Sequence, residues 1–474
     1  MTLDLERAAR EFAEATALPP YLFNLVFTML GQIGTSLNAS GSTLGWILIA
    51  TIVSGTVSAA LFPALGSMLG QRRLMVVAMG CLCAGSLVSA IAPDATTLLI
   101  GRIVAAPGFA AGSLSVAIVG EHRSGASLPR SFGVIAAFAG AAAAVGFSLG
   151  GGVEQAARGD WRSVFAAMAV VSAVTAALAV AAIPGGTPGS RRTDIPGALL
   201  LAGGLVAALL PITEGAAWGW DSWRVVGLFA AAVVLLTAWA TAELRHADPL
   251  VRLAVLALPE VIGGTALFFV TAATVGVINL TVPPFIEAPA TAGYGGAASV
   301  FDAGLDMLPF AAAITVAGFV AGLVARRASV QLVAIVTLGC EALALVLLAA
   351  FHQSAAQVVI LLAVFGAGHG GTLAVEYVIL TRPVPPAAAG AAVGVASAVA
   401  GISGAVATAV TTALLARNLV RAGSATLPAA AGYEHAWLFA AAVAAVGAIV
   451  TAARAGPGLW RARPGPRPRR PPCR

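Results

Sequence analysis

The chain has 474 residues, of which 59% are apolar and only 10% are charged. Soluble domains carry about 25% charged residues, so a soluble fold of this length could not cover its surface. The formal net charge of +6 comes from 26 arginines and no lysine, and these arginines lie in short clusters between apolar runs. That distribution excludes a basic face for nucleic acid and favours a membrane protein.

The residues give no support for soluble-enzyme chemistry. Without lysine, a phosphate-binding loop of the GxxxxGK type is excluded. The four cysteines (Cys81, Cys83, Cys340 and Cys473) are too scattered for a disulfide framework, and no paired His/Cys spacing indicates a metal site. We therefore predict no enzyme activity, no cofactor and no metal.

The N-terminal residues 1–18 are acidic and amphipathic. Asp4, Glu6, Glu11 and Glu14 give this stretch the wrong charge for the start of a cleavable signal peptide. Its apolar residues recur at helical spacing, which predicts a short amphipathic helix on the cytoplasmic surface.

Fourteen apolar segments follow, and a run of about 20 apolar residues crosses a bilayer core about 30 Å thick. The first segment is short and is interrupted by Gly31 and Gly34. The fold class is therefore an all-α membrane protein with fourteen transmembrane helices. The predicted helices, numbered 1 to 14 in chain order, cover residues 20–37, 44–69, 74–92, 96–119, 131–153, 163–184, 195–213, 223–242, 261–284, 303–325, 330–351, 356–380, 388–416 and 436–454.

The arginines predict the orientation of these helices. With the N-terminus in the cytoplasm, twenty arginines fall on the cytoplasmic side, five fall outside and Arg102 lies within a helix. Such a bias toward the cytoplasm is what the positive-inside rule describes. An odd number of helices would place the seven arginines from Arg454 onward outside, so we predict an even number and two cytoplasmic termini.

A weak internal repeat divides the chain. The arginine turn after predicted helix 2 (residues 70–73) is echoed after helix 10 (residues 321–327), and glycine-rich helix 5 is echoed by helix 13. The offset of eight predicts two six-helix bundles with helices 7 and 8 inserted between them, and such repeats place a substrate site at their interface. The predicted divisions are 19–184 for the first bundle, 185–259 for the linker with the inserted pair, 260–455 for the second bundle and 456–474 for a disordered cytoplasmic tail rich in proline and arginine.

The stretch from Trp46 to Arg73 ends in a cationic turn that carries a family pattern. It resembles helix 2 and the following Gly-x-Leu-x-Asp-x-x-Gly-x-Arg-Arg loop of the major facilitator superfamily, especially its fourteen-helix drug:proton antiporter branch. Pro63 replaces the first glycine, and Ser67 replaces the aspartate that latches the cytoplasmic gate in the family. The alternative is that the arginines only anchor the topology. The residues that match, and that the resemblance assigns to the cytoplasmic gate, are Leu65, Gly70, Arg72 and Arg73.

Arg102 lies about two turns inside predicted helix 4. A charge at this depth costs several kcal/mol unless it is paired or hydrated, so it indicates a function. It resembles the helix-4 arginine that the family uses in proton coupling, although Ala105 and Ala106 replace the usual Gln and Gly. The alternative is that Arg102 snorkels outward and pairs with Asp94.

Predicted helix 5 resembles the glycine-lined antiporter motif of the family. Gly146, Gly150 and Gly151 match it, while Phe147 replaces its proline. Residues 160–165 then resemble the family's Trp-Arg-x-x-Phe entrance to helix 6. Glycines also let helices approach closely, so packing alone is the alternative explanation.

No acid lies well inside predicted helices 1–6, and helix 1 offers only Asn24 and Gln32 as polar groups. Proton antiport needs a carboxyl group that alternately binds and releases a proton. We therefore predict that the carboxyl group that couples transport to protons lies in the second bundle. Glu376 in helix 12 lies seven residues after His369, on the same helix face, which predicts a proton relay. The alternative is a pair between Glu376 and Arg382 beside a neutral interior histidine.

Two further acidic sites are candidates. Glu341 lies centrally in predicted helix 11, where it is either a coupling site or a protonated structural group. Asp302 and Asp306 lie on one face at the outer start of helix 10. They are predicted to attract cations to an outer mouth, although a solvated helix start also favours acids.

The resemblance implies a secondary active transporter in the plasma (inner) membrane. It would export a small amphipathic compound or drug in exchange for protons, by alternating access of two bundles. Its partners would be that compound, protons and the lipid bilayer, without nucleic acid. Two alternatives stay open: an uncoupled or differently coupled facilitator, and a transport-dead membrane sensor or scaffold. The residues predict neither the substrate nor the oligomeric state.

Overall fold

A computed structural model describes residues 30–39, 41–122, 127–156, 160–183, 194–246, 249–422 and 425–455. Most of these residues are helical. The predicted amphipathic helix (1–18), most of the first segment and the tail (456–474) lie outside them. In chain order the elements are α1 Leu30–Leu37, α2 Gly41–Leu69, α3 Gln71–Ala90, α4 Ala95–Ala105, α5 Ala110–His122, α6 Leu128–Ala156, α7 Arg162–Ala182, α8 Ile195–Trp218, α9 Trp223–Arg245, α10 Leu253–Leu256, α11 Pro259–Glu287, α12 Val300–Asp306, α13 Leu308–Val324, α14 Val330–Ala350, α15 Ala355–Thr381, α16 Ala389–Arg417, β1 Leu419–Ala422, β2 Ala425–Pro428 and α17 Ala430–Ala455.

Twelve stretches of the described chain are long and apolar enough to cross a membrane. Helices α4 and α5, joined by a 3-10 turn at Ala106–Phe109, form one of them. Helix α6 is a further long helix, and its part Leu128–Ala144 is also apolar. Together these features make the chain a multi-pass membrane protein, with helix bounds close to those expected from the sequence.

Among the described residues, the expected all-α fold is interrupted at one place. Strands β1 and β2 form an antiparallel hairpin that pairs Leu419 with Pro428 and Ala422 with Ala425. The hydroxyl of Tyr294 donates a hydrogen bond to the carbonyl oxygen of Pro428 and ties the hairpin to the bundle. Helix α17 begins at Ala430, six residues before the predicted start at 436. The prediction was wrong there because the polar residues just before 436 suggested a loop.

Early and late helices pack against each other along two crossings. Helix α2 packs along α16, and α6 packs along α13. The pair α8 and α9 rests on the first crossing, where Leu201 and Leu205 join Ala60 and Ala398 in one apolar cluster. Helix α15 lies among α11, α13 and α14 and is buried along most of its length.

Because the long helices alternate in direction, many arginines collect at one end of the molecule. Arg454 at the end of α17 donates a hydrogen bond to Pro259 at the start of α11 (3.2 Å), which confirms that these two ends meet. We call this the arginine-rich end. Its members among the described residues are Arg72, Arg73, Arg130, Arg245, Arg252, Arg326, Arg327, Arg382 and Arg454.

Candidate functional site

A polar cluster lies inside the second half of the chain, on helix α15. The helix starts at a capping box, in which Ser354 and Gln357 satisfy each other's backbone N–H groups. His369, Thr372 and Glu376 follow each other at spacings of three and four residues, so they share a face of the helix. All three side chains are buried.

Glu341 enters this cluster from α14, and its side chain is 0% exposed. Its Oε1 accepts a hydrogen bond from the Thr372 hydroxyl (2.8 Å), and its Oε2 accepts one from the Thr274 hydroxyl (3.1 Å). The Thr372 hydroxyl also lies 3.0 Å from that of Thr337. The Glu341 carboxyl group is therefore held by hydroxyls from two neighbouring helices, α11 and α15.

Glu376 is 2% exposed and accepts a hydrogen bond at Oε2 from the Thr271 hydroxyl (2.8 Å). Thr271 and Thr274 are one turn apart on α11, so a single helix donates to both Glu376 and Glu341. In the described chain, no arginine or histidine comes within ion-pair distance of either carboxyl group. A charged carboxylate at such depth costs several kcal/mol without pairing or water, whereas a protonated one does not.

His369 lies on the same face of α15 but in a different environment. Its ring stacks on Phe365 with centroids 5.7 Å apart. Its Nδ1 is buried and has no hydrogen-bond partner among the described residues. The structure thus joins Glu341 and Glu376 through the α11 hydroxyls and places His369 two helical turns from Glu376, about 10 Å along the axis.

Arg102 is 1% exposed in α4, and its guanidinium carbon lies 5.5 Å from the centre of the Phe165 ring. This distance fits a cation–π contact. Asp94 instead caps the helix by accepting a hydrogen bond from the Thr97 backbone N–H (2.8 Å), which lowers the pKa of that carboxyl group. The outward snorkelling of Arg102 considered above is therefore wrong, because the side chain is buried.

The matched gate residues lie at the turn between α2 and α3. Gly70 has a φ of 95°, a conformation that glycine adopts readily and other residues do not. Arg72 donates a hydrogen bond to the Val180 carbonyl oxygen of α7, Arg73 is exposed, and Leu65 is half-buried. Among the described residues, the Ser67 hydroxyl bonds only within its own helix, to the Ala64 carbonyl oxygen (2.7 Å).

A contact that sequence analysis missed lies beside this turn. The buried side chain of Gln71 donates hydrogen bonds to the Pro63 carbonyl oxygen (3.1 Å) and to Oε1 of Glu121 on α5 (2.8 Å). The Pro63 oxygen in turn faces Gly390 of α16, where an added Cβ would lie 2.2 Å away. The sequence carried one signal for this contact, which is that the uncharged Gln71 stands directly before two arginines in the turn.

Replacing Gln71 by methionine is expected to lower the thermal stability of the protein. Methionine keeps the length of the side chain but removes the hydrogen bonds to Pro63 and Glu121, at a cost of about 0.5–1.5 kcal/mol per bond. A thermal-unfolding measurement in detergent tests this. Gln353→Met, at an exposed turn, is the control. Equal melting temperatures for both variants would contradict a stabilising role for Gln71.

Some of the glycines of helix α6 lie at the crossing with α13. An added Cβ at Gly133 would lie 2.8 Å from Gly322 Cα, and one at Gly140 would lie 2.5 Å from the Thr315 backbone nitrogen. The predicted motif residues Gly146, Gly150 and Gly151 come later in the same helix. Most of the side chains around them lie outside the described part of the chain.

Asp302 and Asp306 lie in the short helix α12 at the opposite end from the arginines. Ser299 is the N-cap of this helix, and its hydroxyl donates a hydrogen bond to Asp302 Oδ2 (2.7 Å). Asp302 is exposed, and Asp306 is half-buried one turn later. Capping of a helix start accounts for the position of Asp302.

Comparisons with known proteins show which protein family this chain resembles. The family model described as Major Facilitator Superfamily matches residues 15–408. Among curated relatives, a multidrug transporter protein of Bacillus subtilis (strain 168) is 26% identical over 44% of this chain and 39% of its own. A puromycin resistance protein of Streptomyces alboniger is 31% identical over 48% of this chain and 45% of its own, and a methylenomycin A resistance protein of Streptomyces coelicolor is 25% identical over 63% and 61%. The chain thus spans about 39–61% of the length of these relatives.

Solved structures share the fold across nearly the whole chain. The human organic anion transporter MFSD10 superposes with a TM-score of 0.64 at 13% identity, covering 94% of this chain and 99% of its own. The proton:xylose symporter XylE superposes with a TM-score of 0.67 at 13% identity, covering 95% of each chain. At this identity the likeness concerns the fold alone.

Proposed function

The chain belongs to the major facilitator superfamily, and we propose that it exports a small amphipathic compound in exchange for protons. The observation that carries the proposal is the pair of buried carboxyl groups, Glu341 and Glu376, whose side-chain partners are threonine hydroxyls. Such groups bind a proton readily where water is excluded and release it when water or a cation reaches them. That alternation is what coupling to a proton gradient requires.

We also propose the helix arrangement that this function needs. Two six-helix bundles would rock about a central cavity, one formed by the helices up to α7 and the other by those from α11 onward. The pair α8 and α9 would be inserted between them, in keeping with its position against α2 and α16. The arginine-rich end and both termini would lie in the cytoplasm of the cell, at the plasma membrane.

The roles of the remaining candidates follow from this arrangement. Arg102 would tune the proton affinity of the coupling site from the first bundle, and His369 would lie on the path between the Glu pair and the opposite end. The turn at Gly70, Arg72 and Arg73 would control the cytoplasmic gate. Asp302 and Asp306 would line the outer mouth.

A facilitator without proton coupling is the second candidate. The specific observation in its favour is Ser67, which bonds to its own helix where the family has a gating aspartate. The described helices up to α7 also hold few acids away from their ends. This candidate predicts that a compound crosses the membrane without moving protons.

The test uses inside-out vesicles with an acidic interior and a quenched dye that reports proton release. Antibiotics are the first compounds, beginning with puromycin, methylenomycin and tetracenomycin, because relatives are named for resistance to them. We expect one of them to release protons with the intact chain. Glu341→Gln and Glu376→Gln are expected to reduce this release about tenfold or more, since general acid–base groups contribute at least this much.

Two variants sharpen the result. Arg102→Ala is expected to weaken proton release, and Glu434→Gln, an acid of α17 near His352 and outside the cluster, is expected to leave it unchanged. If labelled compound crosses while protons do not move, the facilitator is the correct function. If no compound crosses and the Arg102 variant behaves as the intact chain in every assay, the sensor or scaffold gains support.

A further inference from the structure

A lateral groove lies between α11, α16 and α17, outside the polar cluster. Its volume is about 1150 Å³, and its walls are mostly apolar, with Glu260, Gln331 and Arg454 among the polar side chains that line it. It opens on the side of the molecule where Phe269 of α11 and Val446 of α17 are exposed. Helices of a membrane protein present such faces to lipid, so the groove opens to the bilayer and not to an aqueous phase.

The groove has one polar end, at the arginine-rich end of the molecule. Arg454 donates a hydrogen bond to the Pro259 carbonyl oxygen (3.2 Å), and Glu260 is the next residue of α11. Both side chains line the groove and are exposed. In the described chain, the Glu260 carboxylate has neither a hydrogen bond nor an ion pair. A cation and an anion therefore line the same end of the groove without forming an ion pair with each other.

Along α11 the groove is about as long as one leaflet is thick, while its lining on α17 runs from Phe439 to Ala455, about 24 Å. Its lining residues on α11 run from Pro259 to Val270. At a rise of 1.5 Å per residue this is about 16 Å, half of a hydrocarbon core about 30 Å thick. An elongated amphipathic molecule lying in the groove would thus have its polar end at the level of Glu260 and Arg454 and its apolar part along the helices.

We infer that the groove binds one phospholipid of this leaflet whose headgroup carries both a phosphate and an ammonium group, as phosphatidylethanolamine does. The phosphate would pair with the guanidinium of Arg454, because arginine matches phosphate geometry with two parallel N–H groups. The ammonium would pair with the Glu260 carboxylate. A purely anionic headgroup would satisfy Arg454 but would place its net charge against Glu260, so the charges favour the zwitterion. This inference is independent of proton coupling and of the transported compound.

Native mass spectrometry of the full-length purified chain tests the site. Phosphatidylethanolamine, phosphatidylcholine and phosphatidylglycerol with the same acyl chains are added in turn, and retained lipid is counted. We expect one phosphatidylethanolamine to be retained in preference to the other two lipids. Glu260→Gln is expected to remove the preference over phosphatidylglycerol, and Arg454→Gln to lower retention of all three.

A matched pair on α17 tests the position. Val446 lines the groove and is 59% exposed, while Ile449 is 66% exposed on the same helix but does not line it. Val446→Trp is expected to abolish retention, and Ile449→Trp to leave it unchanged. The inference would be overturned if no lipid is retained or if phosphatidylglycerol is preferred. Equal losses of lipid in both tryptophan variants would also overturn it. Displacement of the lipid by a transported antibiotic would instead identify the groove as an entrance for that compound.

Discussion

Replacing Gly394 by valine is expected to force α2 and α16 apart at the arginine-rich end. A Cβ atom at Gly394 would lie 2.2 Å from the carbonyl oxygen of Ala60, far closer than such atoms approach. One turn earlier, Gly390 faces the Pro63 oxygen at the same distance. The atoms opposite are backbone atoms of α2, which cannot move aside as a flexible side chain would. The helices must therefore separate.

Overpacking of this kind costs about 1–3 kcal/mol. An equilibrium between a state with the helices in contact and one with them apart would shift by about 5- to 150-fold. Spin labels on cysteines introduced at the exposed positions Leu69 and Ala387, with the native cysteines replaced by serine, report the separation. We expect the distance distribution to move to longer values in the Gly394→Val variant.

Gly404 supplies the control, because it lies on the same helix and an added Cβ there meets nothing within 4 Å. Gly404→Val is expected to leave the label distances unchanged. If both valine variants give the distribution of the intact chain, the crossing of α2 and α16 is not sensitive to the size of residue 394. If both shift equally, the effect comes from valine in a helix and not from the contact with Ala60.

The helices could be predicted from the sequence because membrane spans have a strong local signal. Long uncharged runs give their positions, and clustered arginines such as Arg72 and Arg73 indicate their ends. The start of α17 could not be predicted in this way, because Glu434 and His435 interrupt the apolar run. Only the tertiary structure shows His352, in the loop between α14 and α15, 3.4 Å from Glu434. The hairpin was missed for a similar reason, since its contact with the rest of the chain is made by a distant residue, Tyr294, which donates a hydrogen bond to the Pro428 carbonyl oxygen.

The acids of the candidate site could be predicted, whereas their partners could not. Glu341 and Glu376 stand out in apolar segments because a charge there is costly. Thr271 and Thr274 do not stand out, since a threonine in a membrane helix commonly bonds to its own backbone, and the Thr271 hydroxyl does lie 3.0 Å from the Leu267 carbonyl oxygen. Their contact with the acids depends on which helices neighbour α11 and how each is rotated. Those facts belong to the tertiary structure.

Replacing Thr271 by valine tests whether Glu376 becomes charged during transport. Valine keeps the shape of threonine and removes the hydroxyl that donates to Glu376 Oε2 (2.8 Å). Hydrogen bonds between neutral side chains in a membrane average about 0.6 kcal/mol, a change of about threefold or less. Hydrogen bonds to charged groups contribute about 1.5–3 kcal/mol, which is tenfold or more.

We expect the larger effect on the rate of compound-driven proton release in inside-out vesicles, and recovery of that rate in Thr271→Ser, which restores the hydroxyl. Thr411→Val is the control, because this buried threonine of α16 has a hydroxyl with no hydrogen-bond partner among the described residues. An effect of threefold or less at Thr271 would mean that Glu376 keeps its proton throughout and is a structural group. In that case Glu341, held by Thr274 and Thr372, would be the carboxyl group left to carry the proton.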